Sequence, residues 1–80
     1  MSERYNGHAN WETWNVLLWA DNERPLQAAT RRFARTRPDA KACRVFFFEM
    51  FPKGTPDMDH VSEMALVDWS CVADSLRDWE

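Results

Sequence analysis

Two acid–base neighbours are the candidates for proton-transfer chemistry in this 80-residue sequence: His8 with Glu12, and Asp59 with His60. A pair of this kind catalyses only beside a nucleophile or a polarised bond. No serine, threonine or cysteine stands at a motif spacing to either pair, and two glycines in the whole chain make no phosphate-cradling loop. A chain this short also leaves little room for a lined cleft, so the expectation is a protein that is not an enzyme and uses no cofactor. Metal chemistry fares no better. Cys43 and Cys71 form no Cys-x-x-Cys, and His8 and His60 lie far apart, so no metal site is expected.

Recognition chemistry remains, and charge is where it would reside. The net charge of −3 is unevenly spread. Residues 1–40 carry six arginines against five acids, a balance of +1, whereas residues 41–80 carry four cations against eight acids, a balance of −4. After Pro56 the acids Asp57, Asp59, Glu63, Asp68, Asp74, Asp78 and Glu80 face Arg77 alone. Carboxylates spaced along helices imitate phosphates and suit the basic channel of a nucleic-acid-binding protein. They equally suit a solvated face that aids solubility. Arg31, Arg32, Arg35 and Arg37 make a basic patch without interleaved aromatics, which reads as a solvated face with local salt bridges rather than a nucleic-acid footprint. Trp79 near the C-terminus and Phe51 beside a proline-containing loop are open between core packing and partner anchoring.

The elements that position these groups are helices. Asn10 is an N-cap, followed by Glu12 at the positive end of the helix dipole. Trp11, Trp14 and Leu18 recur at helical spacing and share a face, with Leu17 flanking it and Val16, Trp19 and Ala20 on other sides. A second helix starts at Arg24-Pro25, carries Leu26, Ala29 and Phe33 as its apolar stripe, and closes at Arg37-Pro38. Asp39 caps a third, with Ala42, Cys43, Phe46, Phe47 and Met50 along one side; the Phe-rich run 44–51 also fits a buried strand. Pro52, Gly54 and Pro56 mark a loop. Beyond it Val61, Met64 and Ala65 form one short stripe, and Trp69, Val72, Ala73, Leu76 and Trp79 another, with Asp68 as the N-cap between them.

Hydrophobic residues are 45% of the chain and charged residues 29%, which places it among folded globules. The expected fold is all-α, a single domain over 1–80 built as a bundle of four or five short helices, with α+β as the alternative if 44–51 is a strand. Five Trp, five Phe and one Tyr are available to its core, each burying about 150–250 Å² when enclosed, so about half of them would suffice to anchor it. Gly7 is read as a turn that lets Tyr5 and Asn6 pin the chain ahead of the first helix. No run approaches the ~18 apolar residues of a membrane span. Met1–Tyr5 lacks the basic start and apolar core of a secretory signal, so the expectation is a cytoplasmic protein with Cys43 and Cys71 reduced and buried.

The run Tyr5-Asn6-Gly7-His8-Ala9-Asn10-Trp11-Glu12-Thr13-Trp14-Asn15-Val16, followed by Leu18-Trp19 and Asp21-Asn22, resembles a family of small proteins of bacteriophages and mobile elements. That family's signature is Tyr-Asn-Gly, two residues, Asn, an aromatic, then Glu-Thr-Trp. Val67-Asp68-Trp69 with Val72-Ala73 is similar to its C-terminal segment. The resemblance implies a compact helical phage or prophage protein. Some proteins of this size and origin are anti-CRISPR inhibitors, and in length and charge this chain looks similar to inhibitors of type I-C systems. The functional expectation is therefore an inhibitor that binds a host CRISPR effector complex and blocks its target DNA. Its expected contacts are Asp57, Asp59, Glu63, Asp68, Asp74, Asp78 and Trp79. It would bind no nucleic acid or membrane itself, as a monomer or homodimer. The alternative is a small homodimeric structural or regulatory accessory protein.

Overall fold

Side-chain caps decide where the helices begin. A computed structural model of the chain describes residues 10–79. Asn10 takes extended backbone and its Oδ1 accepts the Thr13 amide at 2.9 Å, which starts α1, Trp11–Asn22. Glu23, also extended, is the sole residue between α1 and α2, Arg24–Ala34, whose first turn holds Pro25 where no amide is needed. Asp39 Oδ1 accepts the Ala42 amide at 2.9 Å and opens α3, Ala40–Met50. Residues 44–50 are therefore helical, and among the described residues there is no strand. A 3₁₀ helix, Val61–Leu66, follows the loop, and Asp68 Oδ1 caps α4, Trp69–Leu76, through the Cys71 amide at 3.0 Å. The fold is all-α, with five short helices among the described residues in a compact bundle.

α1 packs on α2 and α3 on α4, while α1 also touches the 3₁₀ helix and α4. The buried residues form one cluster to which every helix contributes: Val16, Leu17 and Ala20, then Ala34, Cys43, Phe47, Met64, Val72, Ala73 and Leu76. Phe47 is its hub. Its ring meets Phe46 edge-on at 5.2 Å and lies 5.9 Å from Trp69, while Phe46 stacks on Phe33 at 4.0 Å and so ties α2 to α3. Truncating a buried phenylalanine of this kind costs about 3–5 kcal/mol.

Several expectations change. The core face of α1 is not Trp11, Trp14 and Leu18, which are half-buried, but Thr13, Val16, Leu17 and Ala20 with Asn15 beside them. Buried threonine and asparagine sit on the inward side, so apolar periodicity alone picks the wrong stripe. Trp11, Trp19 and Trp69 cover the core from its edge rather than filling it. α2 ends at Ala34, and Arg37 reaches the buried Pro38 through a positive φ of 53°. Phe51 is buried and belongs to the core, so it is no partner anchor. In the 3₁₀ helix, three residues per turn align 61, 64 and 67. Met64 and Val67 are buried accordingly, while Ala65 is exposed and Val61, at the open end, largely so. Both cysteines are free thiols; Cys43 is buried, whereas Cys71 is only half-buried. Burial, with the Asp39 charge adding to it, pushes the Cys43 thiol up to about 11, so it is neutral and unreactive near pH 7.

Candidate functional site

The acids expected to meet a partner fall into two groups, separated by α4. Asp57, Asp59, Glu63 and Asp68 lie before it; Asp74 and Asp78 lie near its far end. Eight helical residues put about 12 Å between the ends.

Three carboxylates of the first group, those of Asp57, Glu63 and Asp68, are held in place by the chain's own donors. Asp57 lies three residues after Gly54, whose φ of +82° strains any other residue and where a Cβ would press on the Met58 sulfur at 3.3 Å. Asp57 Oδ2 accepts from Asn15 Nδ2 and from Trp19 Nε1, both at 2.9 Å. The Asn15 bond, then the Trp19 bond, hold the Asp57 carboxyl below its usual range against a small opposing loss of solvent. Asn15 is itself fully buried, and its Oδ1 accepts the hydroxyl of buried Thr55. Glu63 Oε2 accepts the amides of Asp59, at 2.8 Å, and His60, at 3.2 Å, and His60 Nδ1 accepts the Ser62 amide, so the pair box the start of the 3₁₀ helix. His60 is thus a cap, not the partner of Asp59 in an acid–base couple. Asp68 caps α4, and its own amide donates to Thr13 Oγ1 at 2.8 Å. The same Thr13 hydroxyl donates to Asn10 Oδ1, while Asn10 Nδ2 donates to the Leu66 carbonyl at 2.8 Å.

The second group differs. Asp74 is 3.5 Å from Arg77 in an exposed pair, the sole ion pair among the described residues. Asp78 shares an open, polar hollow with Trp79, Asp21 and Arg31. Trp79 is half-buried and packed on the core, so its ring is already partly spent inside the molecule. Seven expected contacts therefore do not make one patch.

The arginines are exposed and run continuously. Arg31, Arg32 and Arg35 line one open depression of α2; Arg35 also lines the next, with Arg37 and Arg77. The expected salt bridges at Arg31, Arg32, Arg35 and Arg37 do not form among the described residues. An open hollow of about 500 Å³ is remote in sequence from the acids: Phe33, Ala42, Val45 and Phe46 make its floor, and Asp39, Lys41 and Glu49 its rim. No three His, Cys, Asp or Glu side chains converge among the described residues. No helix there is long and apolar enough to cross a membrane. Tyr5, Asn6, Gly7 and His8, with the His8–Glu12 pair, lie outside the described residues.

A family model matches residues 1–75, nearly the whole chain. The chain belongs to DUF7249, a family of unknown function. No curated protein and no solved structure matches it. In this DUF7249 member, the conspicuous N-terminal run has an architectural use. Asn10, Thr13, Asn15 and Trp19 present their polar atoms to residues 55–68 and fasten α1 to the acidic segment. Thr13, Asn15 and Thr55 were invisible to hydropathy reasoning. The signal in α1 was compositional: Asn10, Thr13 and Asn15 are small polar residues at i, i+3 and i+5 in an otherwise apolar run.

Proposed function

We propose that the protein is a non-catalytic, phage-type inhibitor that binds a host CRISPR effector complex in the cytoplasm and excludes its target DNA. The contact surface is narrowed from the full acidic tail to Asp57, Asp59, Glu63 and Asp68. The observation that carries the reading is a set of carboxylates with no Lys or Arg anywhere from residue 57 to 76, three of them fixed by their own chain. Hydrogen bonds from Asn15 and then Trp19 favour the ionised form of Asp57 further, holding its carboxyl below the ordinary value. Fixed anions lose little freedom when a partner closes on them, which conserves affinity. A DNA-binding channel is selected to hold a row of phosphate charges, and such anions compete for its lysines and arginines. Type I-C effectors are the specific target that the resemblance implies.

The test is a gel shift of a purified type I-C effector on its target DNA, with increasing amounts of this protein. Asp57→Lys and Glu63→Lys are poor probes, since each removes an acceptor that holds backbone or core. Asp59→Lys combined with Ala65→Lys reverses the charge at one exposed position, adds a cation at another and leaves every acceptor in place. The wild type should abolish the shifted band, in a manner that weakens with added salt. The double variant should need at least about tenfold more protein. An unchanged shift with wild type, or equal inhibition by the variant, overturns the proposal.

A further inference from the structure

We propose that α3 is the contact surface of a two-fold homodimer, in which α3 pairs antiparallel with α3 of a second copy about Val45. This does not rest on the inhibitor reading, because the acids of 57–68 belong to other elements.

The outward side of α3 has an internal antisymmetry. Lys41, Val45 and Glu49 are spaced four residues apart and share one helix face. All three are exposed, Val45 at 52%, and Val45 extends the apolar lining of the hollow floored by Phe33, Ala42 and Phe46. The face thus reads cation, apolar centre, anion. A two-fold axis through Val45 reverses the second copy, so each Lys41 meets the partner's Glu49, twice over. An isologous interface demands this self-complementarity: where residue i meets j, j meets i. The same operation keeps the hollows on one side of the pair. The bulky Phe46 of each copy then approaches the small Ala42 of the other. Neither Lys41 nor Glu49 has an ion-pair partner in its own chain among the described residues. A heterologous partner would have no need for charges balanced about a central valine.

The face is modest in size. Eleven residues span about 16 Å, so the interface falls at the small end of specific contacts, and micromolar self-association is expected. Sedimentation equilibrium from about 1 to about 500 µM covers that range. Wild type should pass from monomer to dimer. Lys41→Glu and Glu49→Lys each create two like-charge contacts and should weaken dimerisation at least about tenfold. Combining both substitutions in one chain should restore it. Mixing the two single variants should also restore it, as a heterodimer, because both acids of the first variant then face both lysines of the second. Neither recovery is open to a misfolded chain, so unfolding cannot imitate the result. A wild type that stays monomeric throughout overturns the proposal and returns the hollow to a heterologous partner. Dimerisation indifferent to the single reversals, or unrestored in the mixture, overturns the antiparallel register.

Discussion

Replacing Asn15 by alanine should destabilise this protein far more than its place outside the apolar stripe of α1 implies. Asn15 is fully buried and ties α1 to the loop before the 3₁₀ helix: α1 carries it, Thr55 donates to its Oδ1, and its Nδ2 donates to Asp57. Truncation strands the Thr55 hydroxyl, only 2% exposed, and an orphaned buried hydroxyl costs about 1–3 kcal/mol. Water replaces the donor that the Asp57 carboxylate loses, so that bond adds little. The vacated side-chain volume adds about 1 kcal/mol. The total is about 2–4 kcal/mol, against roughly 4–12 kcal/mol for a whole domain of this length. Thermal melts followed by circular dichroism should show a fall of at least about 8 °C, since each kcal/mol moves a small domain by about 4–8 °C. A double-mutant cycle with Thr55→Val isolates the cause. Each single variant leaves one partner unsatisfied and the double variant leaves neither, so the double should cost about 1–2 kcal/mol less than the sum. A loss below about 1 kcal/mol, or additivity within about 0.5 kcal/mol, would refute the reasoning.

Acid titration gives a second expectation. Because the folded Asp57 carboxyl lies below its ordinary value of 3.8, its stabilisation is complete above that value and is lost as pH falls through the folded one. Urea melts from about pH 2 to about 6 should show the gap between wild type and Asp57→Asn shrinking as the pH drops below about 4; a constant gap would count against it. Arg37 supplies a third, since its φ of 53° lies in the region that suits glycine. Arg37→Gly should leave stability unchanged or raise it by up to about 1 kcal/mol, while Arg37→Val should lower it by about 1–2 kcal/mol, both read from melting temperature.

The helix starts were legible because capping is local chemistry. Asn10, Pro25, Asp39 and Asp68 each act within three residues of themselves, so nearby sequence determines the outcome. The stripe of α3 was legible for a related reason: Cys43 and Phe47 are apolar and buried alike. The inward face of α1 was not. Thr13 and Asn15 are buried because their polar atoms find partners 40 to 55 residues away, and no periodicity within α1 records those partners. The acidic segment misled in the same way. Its carboxylates look alike in sequence, yet Asp57, Glu63 and Asp68 serve as acceptors for the fold while Asp59 is spared that use. Ala65 was misplaced because a 3₁₀ helix turns every three residues, not every 3.6, and Val61 because it stands at the open end of that helix.

The fasteners between α1 and residues 55–68 also set the order in which the chain becomes a protein. Synthesis delivers α1 first, and Asn10, Thr13 and Asn15 must then remain hydrated until the segment that satisfies them follows. Burying them earlier would strand their polar atoms, so α1 has no stable docked state of its own on the ribosome. The same dependence makes the molecule indivisible. After a proteolytic cut between Phe51 and Thr55 every one of these fasteners joins two separate pieces, which, once they part, should unravel together rather than leave a trimmed, folded core.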